Sequence, residues 1–230
     1  ADGSTAFDAV TYTGNSSTNT ITGLGFSPDF LWIKARTVAT YDSRIFDTVR
    51  GADKLLYSSL GSGQATGTTN LTSFDSNGFT LGSPAQTNLD TYPFIAWTWD
   101  AGSSTVNNTD GSITTSVRAN QTAGFSIVSY TSTGGSSATI GHGLNAAPDF
   151  VLCKRLDTTG DWWAGHVGAG WTIGAYLQVD DSFDVNSNWW NDTAPTSSVV
   201  TLGSYPLTGS SGSYIAYCFT SVEGFSKFGK

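Results

Sequence analysis

Apolar and polar residues alternate along this chain in short runs. In PDFLWIKA (28–35) Phe30, Trp32 and Lys34 fall on one side, and Leu31 and Ile33 on the other. Both sides are largely apolar, as expected of a strand lying centrally in a packed sandwich. The same reading predicts strands near 6–13, 29–36, 44–48, 54–58, 78–82 and 93–100. It predicts a second set near 124–131, 149–155, 161–167, 174–179, 198–203 and 213–220. Glycine-rich turns fall at 61–67, 134–135 and 209–212, and no window sustains a helical period. The polar stretch DAGSSTVNNTDGSITTSVRAN (100–120) reads as a linker with a short hairpin around Asp110-Gly111.

The two sets of strands are related. GLGFSPDFLWIK (23–34) matches HGLNAAPDFVLCK (142–154), with Pro148 lying 120 residues after Pro28. FTLGS (79–83) matches VTLGS (200–204), and FIAWTW (94–99) matches YIAYCF (214–219), at nearly the same spacing. FDAVTYTGN (7–15) and FSIVSYTST (125–133) open the two halves. A period this long implies a duplicated domain rather than a solenoid repeat. The expected fold is therefore all-β, two tandem homologous β-sandwich domains of lectin-like or jelly-roll-like form. Their expected spans are 1–119 and 120–230. GFSKFGK (224–230) resembles GFSIVSY (124–130), so that segment either closes the second sheet as a strand or begins a third unit.

Composition supports strands. Charged residues are 12% of the chain, and Glu223 is its only glutamate against seventeen aspartates, a bias toward turns over helices. A net charge of −8 without a basic run argues against nucleic acid, since a row of phosphates needs clustered cations. No apolar stretch approaches a membrane span of about 18 residues. The start at Ala1 and the absence of Met read as a processed or excised product. Cys153 and Cys218 sit in strand-like runs and read as small buried hydrophobes, a disulfide being open only if those strands face each other.

The runs GFSPDFLWIK, IFDTVRGADK, NNTDGSITTSVRANQTAGFSIVSYT, WNDTAPTSSVVTLGS and YIAYCFTSVEGFSKFG span essentially the whole chain. They resemble a repeat domain of uncharacterised function in virion proteins of tailed phages, notably tail-fibre-like and other surface proteins. The resemblance implies a non-catalytic structural protein of a tail fibre or capsid decoration, at the virion surface. Such a protein is assembled in the host cytoplasm and then becomes extracellular. It also implies other virion proteins as partners and a homo-oligomer, with a trimer as the fibre precedent.

Residues that could carry chemistry are few. Glycoside hydrolysis needs paired carboxylates, and Asp161, Asp180, Asp181, Asp184 and Asp192 supply candidates. The Glu-x-Asp-x-x-Glu strand of lectin-like glucanases is absent, so a polysaccharide depolymerase ranks last. His142 and His166 are isolated, without a nucleophile elbow. No cofactor is expected. NNTDGS (107–112) and DDSFDVN (180–186) offer oxygen ligands for calcium, but neither matches a twelve-residue calcium loop.

Tryptophan is the strongest signal left. Trp32, Trp97 and Trp99 have apolar counterparts at Leu152, Tyr217 and Phe219, and read as packing. Trp162, Trp163, Trp171, Trp189 and Trp190 have none. If each pair lies on a strand, one ring of it faces outward. Together with Asp161, Asn191 and Asp192 these rings are the candidate contact site. Its partner is another subunit or a host-surface glycan, and burial of all five in the domain core is the remaining alternative.

Overall fold

Alternation of this kind builds antiparallel sheets, and the computed structural model is an all-β arrangement of several of them. It describes residues 3–135, 137–181, 184–204 and 210–229. The chain forms two compact units. One comprises Asp2–Leu60 and Gln64–Ala101, and the other Gly61–Gly63 and Gly102–Lys230. Residues 102–119, expected to belong to the first domain, therefore cluster with the second.

The N-terminal unit contains β1 (Phe7–Thr13), β2 (Asn19–Thr22), β3 (Phe30–Ala35), β4 (Arg44–Asp47), β5 (Lys54–Tyr57), β6 (Ala65–Thr66), β7 (Leu71–Asp75), β8 (Gly78–Leu81), helix α1 (Ala85–Asn88) and β9 (Pro93–Trp99). Its main sheet runs β1-β9-β3-β4-β5-β6, and a small sheet runs β2-β8-β7. Leu31, Ile33, Ala35, Phe46, Phe94 and Ala96 of the main sheet share a core with Ile21, Leu71, Phe79 and Leu81 of the small one. Fully burying each Leu, Ile or Phe among them stabilises the fold by about 1.5–3 kcal/mol.

The C-terminal unit contains β10 (Thr105–Asn108), β11 (Thr115–Asn120), β12 (Phe125–Thr133), β13 (Ala138–Gly141), β14 (Phe150–Arg155), β15 (Trp162–His166), β16 (Ile173–Tyr176), β17 (Asp184–Val185), helix α2 (Ser187–Trp190), β18 (Val199–Leu202) and β19 (Ser211–Phe219). Its main sheet runs β10-β11-β12-β19-β14-β15-β16-β17, and β13 pairs with β18. Val128, Tyr130, Val151, Cys153, Tyr214, Ala216 and Cys218 share a core with Ile140, Val200 and Leu202.

The order β1-β9-β3-β4-β5 thus recurs as β12-β19-β14-β15-β16. Cross-strand pairs recur with it. Phe7 opposes Trp99 as Phe125 opposes Phe219, and Tyr12 opposes Phe94 as Tyr130 opposes Tyr214. The latter two pairs both stack at an interplanar angle of 10°, with centroids 5.3 and 5.2 Å apart. The Pro-Asp-Phe motif has one job in both places. Asp29 accepts the Ala101 N–H at 2.9 Å, and Asp149 accepts the Ser221 N–H at 2.7 Å. Each carboxylate ties down the chain two residues beyond the end of the neighbouring strand.

All twelve expected strands are present, with shorter ones the pattern did not reveal: β2, β6, β7, β13 and β17. Two departures concern larger segments. The hairpin expected around Asp110-Gly111 is β10–β11, but the stretch is no free linker, since β11 joins the main sheet beside β12. Its Val117 and Thr115 are buried, which a free linker would not allow. Residues 224–229 form no strand, and Lys230 lies outside the described residues. That segment makes tight turns instead, and Phe228 stacks on Phe150 with centroids 6.1 Å apart. Gly209 and the middle of DDSFDVN also fall outside the described residues.

Candidate functional site

The five tryptophans without counterparts converge on the C-terminal unit. Trp162 and Trp163 lie on β15, so their rings point to opposite faces of the sheet. Trp163 enters the core shared with β13 and β18, whereas Trp162 stacks on Tyr217 of β19 with centroids 6.3 Å apart. Both faces are buried here: Trp162 is 0% exposed and Trp163 4%. The expectation of one outward ring fails because a strand buried on both faces has no outward side.

The second pair fails for a different reason. Residues 187–190 form one helical turn, not a strand. Asn186 caps it, its side chain accepting the Asn188 N–H at 2.9 Å. Asn191 and Asp192, with positive φ of 52° and 48°, end it in the left-handed conformation that asparagine and aspartate tolerate. The turn sends both indoles inward. Trp189 packs on Tyr176, with centroids 5.0 Å apart, and crosses Gly174. Trp190 meets Trp171 edge to face at 5.5 Å and lies over Gly165, where a Cβ would come within 2.7 Å of its ring. Trp171, Trp189 and Trp190 are 8%, 2% and 0% exposed. The Nε1 atoms of Trp163 and Trp190 are buried with no hydrogen-bond partner, a cost that the packing of their rings must offset.

The polar candidates do not join these rings in an open platform. Asp161 accepts from the Gln178 side-chain amide at 2.6 Å, and Gln178 in turn accepts the Trp162 N–H. Asn191 and Asp192 are exposed at the end of α2, away from the indole faces sealed beneath it.

Other titratable groups are engaged locally. His142 is fully buried, its Nδ1 accepting the Leu144 N–H and its Nε2 facing the Thr196 carbonyl at 3.2 Å. Burial pushes its pKa down, so the ring is held neutral. His166 Nδ1 accepts the Gly168 N–H. Cys153 and Cys218 are free thiols one diagonal apart on β14 and β19, too far offset in register for a bridge. Burial raises both, Cys218 to about 12, and the Tyr130 hydroxyl lies against Cys153. Lys154 is fully buried on β14, and desolvation lowers it to about 8. It donates to the carbonyls of Gly61 and Gly160 in its own unit. In NNTDGS the Asn108 amide donates to Asp110 and accepts from the Asp110 N–H, a closed turn rather than an open set of ligands. Among the described residues no cluster of three or more His, Cys, Asp or Glu could hold a metal.

One concavity was not legible in the sequence. A groove of about 290 Å³ lies along the β10–β11 hairpin. Val106, Val117 and Ala119 line it together with Ser104, Asn108, Asp110, Gln121 and Asn145. Its residues come from the stretch read as linker, the turn after β11 and the loop after β13, so no local pattern announced it.

These features define an all-antiparallel-β protein of several sheets whose aromatic cluster is interior. The chain belongs to the family described as a domain of unknown function (DUF7483), whose model matches residues 2–230 and so takes in both units. No curated protein and no solved structure matches it.

Proposed function

We propose that this chain is a non-catalytic structural module of a tailed-phage virion, tail-fibre-like or decorating the surface, made from two copies of one ancestral β-sandwich. The resemblance of its motifs to phage surface proteins supplies the virion context. The observation that carries the structural reading is the recurrence of one strand order and one set of cross-strand pairs in both units. With it comes the burial of all five unmatched tryptophans, four of them in the core shared with β13 and β18. The unmatched tryptophans that a sugar-stacking site would present are buried instead, and Asp29 and Asp149 tie backbone. The partners on this reading are other virion proteins and further copies of the chain in a homo-oligomer, a trimer where the module belongs to a fibre.

The test is location. Antibodies raised against the chain should label purified particles of the phage that encodes it, with gold confined to the tail or capsid surface. Recovery only from the soluble lysate of infected cells would overturn the proposal.

One observation favours a second reading, a lectin-like module for host-surface glycan. The β10–β11 groove is lined mostly by hydroxyl, amide and carboxylate groups beside Val106, Val117 and Ala119, a polar setting that suits neutral sugars. Clear hits on a glycan array that Gln121→Ala removes would establish it. Retention of those hits after the change would count against the groove.

A further inference from the structure

Residues 61–63 follow β5 in the chain but belong to the C-terminal unit. There they lie against the loop between β14 and β15, over the fully buried Lys154. Backbone alone seats them. Gly61 O accepts the Gly160 N–H at 2.8 Å and Lys154 Nζ at 3.0 Å, and Lys154 also donates to Gly160 O. Among the described residues Ser62 and Gly63 make no hydrogen bond. Ser62 is exposed, and Leu60 just before the segment is 37% exposed, so no apolar side chain anchors it. At Gly63 an added Cβ would come within 2.8 Å of Thr158 O and 2.9 Å of Leu156 O. Those are backbone atoms that do not swing aside, so the seat takes glycine. A segment held by so few contacts belongs to the part of a fold that opens most readily.

Lys154 suits a clasp in one protonation state. An ammonium carries three N–H donors and a neutral amine two. Two carbonyls face it, those of Gly61 and Gly160. The elements around it bring little charge. Opposite Lys154 stand Ile215 on β19 and Trp162 on β15. Residues 61–63 bring Gly, Ser and Gly, none of them titratable. Arg155 points to the other face of β14 and pairs with Asp157. Asp161 acts on Lys154 through its charge, but its carboxylate accepts from Gln178 instead. Burial outweighs that charge and lowers Lys154 to about 8.

We infer that residues 61–63 are a releasable strap, shut by a neutral Lys154 amine bridging it to Gly160 and loosened when that amine takes up a proton. Opening returns Lys154 to water and toward its ordinary value of 10.5. Between about 8 and 10.5 closing therefore releases a proton, and the closed form gains as pH rises. Below about 8 the closed form carries a buried charge and is at its weakest.

The test follows Lys154 and its strap in the full chain by nuclear magnetic resonance. The Lys154 side chain should titrate at about 8 in the native chain and toward 10.5 in Gly63→Ala, where the strap loses its seat. Solvent exchange of the Gly160 N–H, taken relative to its intrinsic rate, reports closure directly. It should slow at least about tenfold from about pH 7.5 to about pH 9.5 in the native chain, with no such gain in Lys154→Met. The Trp189 and Trp190 N–H signals should stay in place in both variants, which tells release of the strap from loss of the core. A Lys154 titration still at about 8 in Gly63→Ala overturns the inference. So does one pH profile of Gly160 exchange shared by the native and Lys154→Met chains. Global unfolding of Gly63→Ala overturns it too, because the segment is then inseparable from the core. Neither readout depends on whether the chain is found on particles or binds a sugar.

Discussion

At the scale of single residues, two glycines and one lysine reveal how the C-terminal core is made. Gly165 and Gly174 leave bare backbone where indoles lie, so adding one methyl group meets a ring with no room to retreat. Gly174→Ala should destabilise the fold by about 3 kcal/mol, measured by denaturant unfolding, because Trp189 must leave its seat. Trp190→Ala should cost about 3–5 kcal/mol by the same measurement. Lys154 gives a signature in pH. Its pKa falls from 10.5 to about 8 on folding, so between those values the unfolded chain holds more protons. The penalty for burying its charge is complete below pH 8 and released as pH rises toward 10.5. The stability of the native chain relative to Lys154→Met should therefore increase by roughly 3 kcal/mol across that window. Parallel profiles would contradict it. Comparing the two chains cancels the opposite slope that the raised Cys153, Cys218 and Tyr130 contribute to both.

At the scale of elements, the long alternating strands were legible because burial on a sheet face imposes a period of two. Pro28-Asp29-Phe30 and Pro148-Asp149-Phe150 were legible as a repeat, but their job was not, since a carboxylate reaching a backbone N–H some 72 residues away leaves no local pattern. Asp29 is 1% exposed and also accepts from Thr48 Oγ1 at 3.0 Å, whereas Asp149 is only half-buried. Asp29→Ala should thus destabilise by about 2–3 kcal/mol and Asp149→Ala by less, a ranking that thermal melts of the two variants can check. The tryptophan pairs were misread for a related reason. A period of two was applied to residues 187–190, which coil into a single turn, and to β15, whose two faces are both covered. The stretch 100–120 was misread because polar residues dominate it. β11 fully buries only Thr115 and Val117, and its other positions are half-buried.

At the scale of the whole molecule, each unit has its own core of aliphatic and aromatic side chains, and the loops are acidic and hydroxyl-rich. On the reading without a bound ion, calcium or a chelator should move the melting midpoint by less than about 1 °C, a shift that any tight site would exceed by mass action. The interior placement of the unmatched tryptophans is the claim that separates a packed core from a tryptophan sugar platform. Solvent exchange of the indole N–H groups, followed by nuclear magnetic resonance, tests it most directly. The N–H signals of Trp162, Trp163, Trp189 and Trp190 should exchange slowly and stay unmoved when sugars are added. Rapid exchange at one member of each pair, with shifts on adding a glycan, would contradict the account.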